Sequence, residues 1–273
     1  MSYALTFDEP VSTSVERVRR EQLEGAIDGL RDAVSTESIH DARKRLKRTR
    51  SLLRLARPKG FRKRNAALRD AGRALSGARD ADVMAETVSD LAKRYAGQLA
   101  AASFEAVRAP LAARAEQTEA EGSAETLMPL LGDVWPVKSV DLHASLKRTY
   151  ARGRAAFKVA RSEPSAEHLH EWRKRVKDLW YQQQLLERAW PGVLKAQAKQ
   201  AKKLSKLLGE DHDLAVLDDL LRTDPTLDGE LLLPLIAQRR KQLWKKARKL
   251  GRRVYAERPK HFARRLGRYV ELA

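Results

Sequence analysis

Two short segments of the chain carry nearly the same arrangement of histidine, arginine and lysine. Each places His, Arg, Lys and Lys at positions i, i+3, i+4 and i+7, which fall on one face of an α-helix. The residues are His40, Arg43, Lys44 and Lys47 in residues 39–47, and His170, Arg173, Lys174 and Lys177 in residues 169–177. Arginine offers paired donors to phosphate oxygens, and lysine offers a mobile point charge. The repeated face therefore predicts two helices that meet the same anionic partner.

The cations flank the apolar seam of each helix and do not lie on the side opposite to it. The seam residues are Ile39, Ala42, Leu46, Thr49 and Leu53 in the first segment, and Leu169, Trp172, Val176 and Leu179 in the second. Arg50 and Arg54 continue the cationic side of the first helix. Cations in this position are expected to line a groove between helices, where most of the contact energy would come from the Arg and Lys residues of the two motifs.

The motif histidines have a binding and a structural interpretation. A histidine among several cations has a lowered pKa unless an anion is bound, so it could donate a hydrogen bond while neutral. A helix cap or a core hydrogen bond is the structural alternative, and it stays open here. The neighbouring acids Asp41 and Glu171 could serve the helix N-terminus instead of chemistry.

Helical periodicity runs through almost the whole chain, and no segment alternates as a strand does. A first helix is expected over about 12–34, and Ser38 or a neighbour is expected to cap the second, which ends before Pro58. Later expectations are a helix that ends at Gly77, a turn at 191–192, and a break between two helices at Gly209. The chain is predicted to be one all-α domain over 1–273.

A weaker second match supports internal duplication of the chain. Residues 77–83 resemble residues 209–216 with one residue inserted, and they follow the two motifs in the same order. The predicted halves are 1–121 and 139–273, with about four or five helices each. They are joined by a linker over 122–138 that is rich in glycine and proline.

The net charge of +19 points to a polyanionic partner or an acidic membrane surface. Residues 1–138 carry +4 and residues 139–273 carry +15, and within 239–268 there are 14 Lys or Arg residues but only one acid. Cysteine is absent, which excludes disulfides, thiolate catalysis and cysteine-ligated zinc. The N-terminus lacks a signal-peptide pattern and no apolar run is long enough to span a bilayer, so a cytoplasmic location is expected.

The paired motifs resemble the signature of the CHAD domain, an α-helical domain with characteristic histidines. Tyr3-x-Leu5, Glu21-Gln22-Leu23 and the pair of glycine–aspartate motifs at 77–80 and 209–213 add to this resemblance, which covers about 3–270. It implies two helical bundles, related by a pseudo-twofold axis, around a central basic cleft or pore that binds inorganic polyphosphate on or near polyphosphate granules. Cations on neighbouring helices are then further candidates for the site: Arg17, Arg20, Arg148, Arg152, Lys202 and Lys206.

The sequence departs from the family pattern at two places. Residues 76–79 are one residue short of the usual first-half spacing, and Trp180 stands where the first motif helix has Arg50. Family members also occur fused to a triphosphate-hydrolysing tunnel domain, whose Glu-x-Glu-x-Lys strand motif this chain lacks.

Nucleic-acid binding is the main alternative, because both polymers share a phosphate chain. Only 6% of the residues are aromatic, and Trp172 and Trp180 have the spacing of core residues, so nucleic acid is expected only as a non-specific polyanion. An enzyme with a metal site is a weaker alternative, suggested by the His-Asp dipeptides at 40–41 and 212–213. His143, His168 and His261 have no recognisable ligand spacing, so we expect no enzyme and no cofactor.

Two further expectations concern ions and membranes. A divalent cation that bridges polyphosphate to the protein stays open as an accessory to binding. Residues 239–257 form a basic amphipathic helix whose apolar residues, Leu243, Ala247, Leu250 and Val254, are expected to pack on the bundle. No membrane insertion is therefore expected.

Overall fold

The computed structural model describes residues 3–75, 79–117 and 123–273, and within these ranges it is all-α. The described residues form eleven α-helices and no β-strand, which confirms the predicted fold class. The helices are α1 Val11–Asp32, α2 Thr36–Ala56, α3 Phe61–Ala74, α4 Arg79–Arg94, α5 Ala101–Gln117, α6 Met128–Gly132, α7 Leu142–Ser162, α8 Ala166–Leu185, α9 Pro191–Thr223, α10 Leu233–Val254 and α11 Pro259–Glu271. Three single 3-10 turns lie at 124–126, 187–189 and 230–232.

Each motif helix begins at a serine cap. Ser35 caps α2, because its side chain accepts a hydrogen bond from the backbone N–H of Ser38 while the Ser38 hydroxyl accepts from the Ser35 N–H. Ser165 caps α8 by accepting from the backbone N–H of His168 at 3.1 Å. The cap of α2 was expected at Ser38 or a neighbour, and Ser38 in fact lies inside the helix as the reciprocal partner of the cap.

The predicted apolar seams of both motif helices are buried. Every seam residue of α2 and α8 has at most 6% of its surface exposed, including Trp172, which is fully enclosed. The seam of α8 packs against α9 and α7, while α2 packs against α1 and also contacts α8. The two motif helices therefore meet inside one hydrophobic core, which continues through α7 and α11.

The α9 helix corrects the sequence-based expectation for residues 191–223. A turn at 191–192 and a break after Gly209 were predicted, but α9 runs without interruption from Pro191 to Thr223. Pro191 occupies the first turn, where a missing N–H costs nothing because that N–H has no helical acceptor. Gly209 lies in the helix interior, and a Cβ there would come within 3.4 Å of the Arg173 guanidinium. Gly209 therefore continues α9 and does not end it.

The remaining boundaries agree with the sequence within a few residues, where the structure describes them. Gly77 and the first residue of the predicted linker lie outside the described residues. Residues 123–138 contain a 3-10 turn and the short α6, so this part of the linker has its own helical structure. The division into two duplicated halves stays a prediction. None of the described helices is both long and apolar enough to cross a bilayer.

Candidate anion-binding cleft

A cleft of about 530 Å³ opens between α2, α4, α8, α9 and α10, and we call it the motif cleft. Five of the residues predicted from the sequence lie in its lining: His40, Arg173, Lys177, Lys202 and Lys206. Arg94 of α4 and Arg239 of α10 also line it. The structure thus brings His40 of the first motif together with two cations of the second.

One wall of the motif cleft is cationic and is built by α8 and α9. Arg173 and Lys177 lie one turn apart on α8, and Lys202 and Lys206 lie one turn apart on α9. Gly209 continues the same face of α9, and the Arg173 guanidinium lies beside it. Arg173 is half-buried, so its charge faces a site with less solvent screening than an open surface.

The rest of the lining carries charges of both signs. Glu86, Asp90 and Arg94 project from α4 at i, i+4 and i+8, and this face was not identified from the sequence. Arg239 is almost fully buried and forms an ion pair with Glu210, so these two charges offset each other. Asp213 of the second glycine–aspartate motif also lines the cleft. Four of the six Lys and Arg residues in the described lining therefore belong to α8 and α9.

The two motif helices repeat the same local ion pairs. In each, the acid after the histidine contacts the Lys three positions and the Arg four positions further along. The distances are 2.8 Å for Asp41–Lys44, 2.5 Å for Asp41–Arg45, 2.6 Å for Glu171–Lys174 and 2.7 Å for Glu171–Arg175. Partial burial raises the pKa of each acid, but the hydrogen bonds from its Lys and Arg outweigh this, and the pKa is lowered. These acids orient motif cations.

These pairs change the expectation for Lys44 and Lys174. Both were predicted as main phosphate contacts, but each lies against its own acid, and neither is among the described residues that line the motif cleft. Arg43 is half-buried and Lys47 is exposed on the same side of α2 as His40, also outside the described lining. Of the four residues in each motif, the structure brings Arg173 and Lys177 from α8 and His40 from α2 to the cleft.

A second group of arginines surrounds Asp178, which is 9% exposed. Arg54 of α2 contacts its carboxylate at 3.0 Å and Arg175 contacts it at 3.4 Å. Burial raises the pKa of Asp178, while Arg54, Arg175, Arg152 and Arg50 oppose that rise. Burial, followed by the charge of Arg54, lowers the pKa of Arg50 to about 10. Arg54, a predicted site residue, thus forms a buried charged contact that joins α2 to α8.

The histidine of the second motif pairs with a histidine of α9. The ring centroids of His170 and His212 are 4.3 Å apart, at an interplanar angle of 45°. The pKa of His170 is lowered to about 4, first by burial, then by His212, and then by Lys174 and Arg173. The predicted lowering is confirmed for this histidine, although burial and a second histidine contribute more than the neighbouring cations. His212 was noticed only as part of a His-Asp dipeptide.

The other predicted cations lie away from the motif cleft, on α1 and α7. Arg17 forms ion pairs with Glu9 and Glu21, and Arg20 contacts Glu24 at 3.5 Å. Arg148 donates to the Ser145 hydroxyl at 2.7 Å. The pKa values of Arg148 and Arg152 are lowered, first by burial and then by neighbouring arginines.

Trp180 is partly buried and packs against the hydrophobic core, as its spacing predicted, and it also lies in the wall of the motif cleft. Its ring stacks on Tyr181 at 4.7 Å between centroids, and Lys202 Nζ lies 5.7 Å from its centre. This contact holds the Lys202 ammonium beside an aromatic face and within the cationic wall. Trp180 therefore contributes an aromatic ring to the described lining of the cleft, which the sequence did not indicate.

An all-α fold with a cationic inter-helix cleft formed around His-x-x-Arg-Lys-x-x-Lys helices defines the structural class of this chain. Residues 17–222 match the CHAD domain, which is more than half of the chain. The chain therefore belongs to the CHAD domain family. A search of curated proteins gave no match. The family match ends within α9, so α10 and α11 lie beyond it.

Proposed function

We propose that this protein binds inorganic polyphosphate in the motif cleft, without a catalytic step. The observation that carries the proposal is the α8–α9 wall, where Arg173, Lys177, Lys202 and Lys206 line one side of the same cleft. A row of cations on two adjacent helices is complementary to a polymer with a negative charge at every repeat. The association of the CHAD family with polyphosphate binding supports the same ligand.

The geometry fits a ligand that is recognised through charge. Each charge-assisted hydrogen bond in such a site contributes about 1.5–3 kcal/mol. The guanidinium of Arg173 can contact two phosphate oxygens at once, while the lysines adjust to the path of the chain. His40, at the edge contributed by α2, adds a ring N–H donor.

Single-stranded nucleic acid is the second candidate, and the position of Trp180 favours it. A tryptophan in a cationic groove is a typical platform for base stacking. Here the ring already contacts Tyr181 and Lys202, which reduces the face that a base could use. Polyphosphate requires no such face, and we therefore prefer it as the ligand.

The proposal extends to ions and location in the cell. Divalent cations are proposed to accompany polyphosphate, because Glu86 and Asp90 face the chain from the α4 side and would otherwise repel it. Binding affinity should then rise when magnesium is added and fall again with a chelator. A cytoplasmic location on polyphosphate granules is the corresponding cellular proposal, and fluorescence co-localisation with granules tests it.

The cleft is tested by removing two of its lysines. Lys177→Gln combined with Lys206→Gln should weaken polyphosphate binding by roughly 100-fold, if each lost contact is worth at least about 1.4 kcal/mol. Lys59→Gln combined with Lys138→Gln is the matched control, since both lysines are exposed and lie outside the cleft. Equal losses in the two double variants would contradict the proposed site. Release of orthophosphate that depends on His40 or His170 would contradict the proposed absence of catalysis.

A further inference from the structure

A second cationic surface lies on the other side of α10. The exposed residues Lys241, Lys245, Arg248 and Arg252 follow one another at i, i+4, i+7 and i+11, and they fall within about 60° of the helix circumference. They span about 16 Å along the helix axis. We call this row the α10 stripe. Across the described part of the chain, none of its four side chains lies within ion-pair distance of a carboxylate.

The α10 stripe leads into a groove of about 530 Å³ between α7, the end of α10 and the start of α11. Four cations line this groove, which we call the α7 groove: Arg154, Lys158, Arg161 and Arg252. No acid is among its described lining residues, in contrast to the motif cleft. Arg252 belongs to both the stripe and the groove, so the two form one continuous cationic surface.

This surface faces away from the motif cleft. Arg239, which lines the cleft, lies about 160° around α10 from Lys241 at the start of the stripe. The buried residues Leu243 and Leu250 occupy the same side of the helix as Arg239. The body of α10 therefore separates the two cationic surfaces, and a ligand segment in one does not fill the other.

We propose that the α10 stripe and the α7 groove form a second binding surface for inorganic polyphosphate, so that one molecule holds two segments of long chains at once. This inference rests on the proposed function, because it assigns the same ligand to a second place. Bivalent binding of this kind would cross-link long polyphosphate without a second protein chain.

The chemistry of the surface favours polyphosphate over other polyanions. The aromatic residues under the α7 groove, Phe157 and Tyr255, are 7% and 3% exposed, so they offer no free face to a nucleic-acid base. The apolar residues of α10 point into the bundle, so the helix has no apolar face to insert into a lipid surface. The surface therefore offers only positive charges to a ligand, and a phosphate chain binds such charges without needing bases or acyl chains.

The test counts binding sites and then measures cross-linking. Wild-type protein is titrated with short-chain polyphosphate by calorimetry and mixed with long-chain polyphosphate in a light-scattering assay, both at about 150 mM salt. We expect two short chains per molecule and strong scattering with long chains. The variant K241Q/K245Q/R248Q/R252Q should bind one short chain with cleft affinity within about twofold of wild type. Its scattering should fall by at least about tenfold, as four phosphate contacts are lost.

The control variant removes the same number of positive charges as the stripe variant, but at other positions on the surface. K59Q/R62Q/K138Q/R188Q changes two lysines and two arginines at exposed positions outside both surfaces, and it should keep two sites and full scattering. The inference fails if the stripe variant keeps two binding sites and full scattering. It also fails if the control variant loses as much scattering as the stripe variant. It also fails if single-stranded DNA or phosphatidylserine vesicles compete for the second site as well as polyphosphate does. Wild-type protein that binds no polyphosphate would instead reject the proposed function itself.

Discussion

Arg54 and Asp178 form a charged contact between the two motif helices, and a double-mutant cycle should show strong coupling between them. The Arg54 Nη1–Asp178 Oδ1 distance is 3.0 Å, and the side chains are 19% and 13% exposed. Removing one partner of a buried pair costs about 3–5 kcal/mol, because the other charge stays buried. Arg54→Gln should lower the free energy of unfolding by about 2–3 kcal/mol, at or below the lower end of that range, because Asp178 keeps its contact with Arg175.

Asp178→Asn should cost more than Arg54→Gln, about 3–4 kcal/mol, because it leaves several arginines facing one another without their carboxylate. The coupling energy of the pair should then be about 1–3 kcal/mol. Urea unfolding followed by circular dichroism at pH 7 measures it. The exposed pair Arg222 and Asp218 is the matched control, with expected coupling below about 0.5 kcal/mol. Additive single-variant effects at the buried pair would refute the contribution assigned to it.

Three further changes test the pKa and packing arguments. His170 has a lowered folded-state pKa of about 4, so the stability it contributes is complete above about pH 6.5 and is lost as the pH falls towards 4. After solvent screening the loss of stability should be about 1–2 kcal/mol. His170→Gln should therefore flatten the pH profile of the free energy of unfolding. A similar effect of His143→Gln would contradict this prediction. Gly251→Ala should destabilise the protein by about 1–3 kcal/mol, because its Cβ would lie 2.6 Å from a buried indole ring. Gly29→Ala, with open space around it, should stabilise the protein by about 0.5–1 kcal/mol. Equal melting-temperature shifts in the two variants would reject the packing argument. Ser165→Ala should cost about 1 kcal/mol in urea unfolding by removing the cap of α8, and no change would show that the cap contributes little.

Local periodicity was sufficient to predict the helices and their buried faces. The seam of α2 could be read from Ile39, Ala42 and Leu46, because a 3.6-residue period fixes which side chains share a face. The same reasoning failed at Gly209, where the residue type suggested a helix end. Gly209 lies inside α9, and the local sequence does not distinguish a glycine that continues a helix from one that ends it.

The composition of the cleft depends on contacts between distant parts of the chain. Lys177 and Lys206 were predicted as site residues from the motif and its neighbours, but Arg94 and Arg239 join them only through the packing of α4 and α10. The contact of Arg54 with Asp178 spans 124 positions in the sequence. Cations on one helix face can serve a ligand or an ion pair, and only the tertiary structure distinguishes the two uses.

We infer that the motif cleft selects polyphosphate over nucleic acid, and a comparison of three polymers measures this selectivity. Long-chain polyphosphate, single-stranded DNA and duplex DNA of equal phosphate concentration are titrated with the protein at about 150 mM salt, where weak non-specific contacts fade. Polyphosphate should bind at least about tenfold more tightly than either nucleic acid, and Lys177→Gln with Lys206→Gln should weaken polyphosphate binding to the motif cleft by roughly 100-fold. Equal affinities for all three polymers would contradict the claim and leave a general polyanion binder.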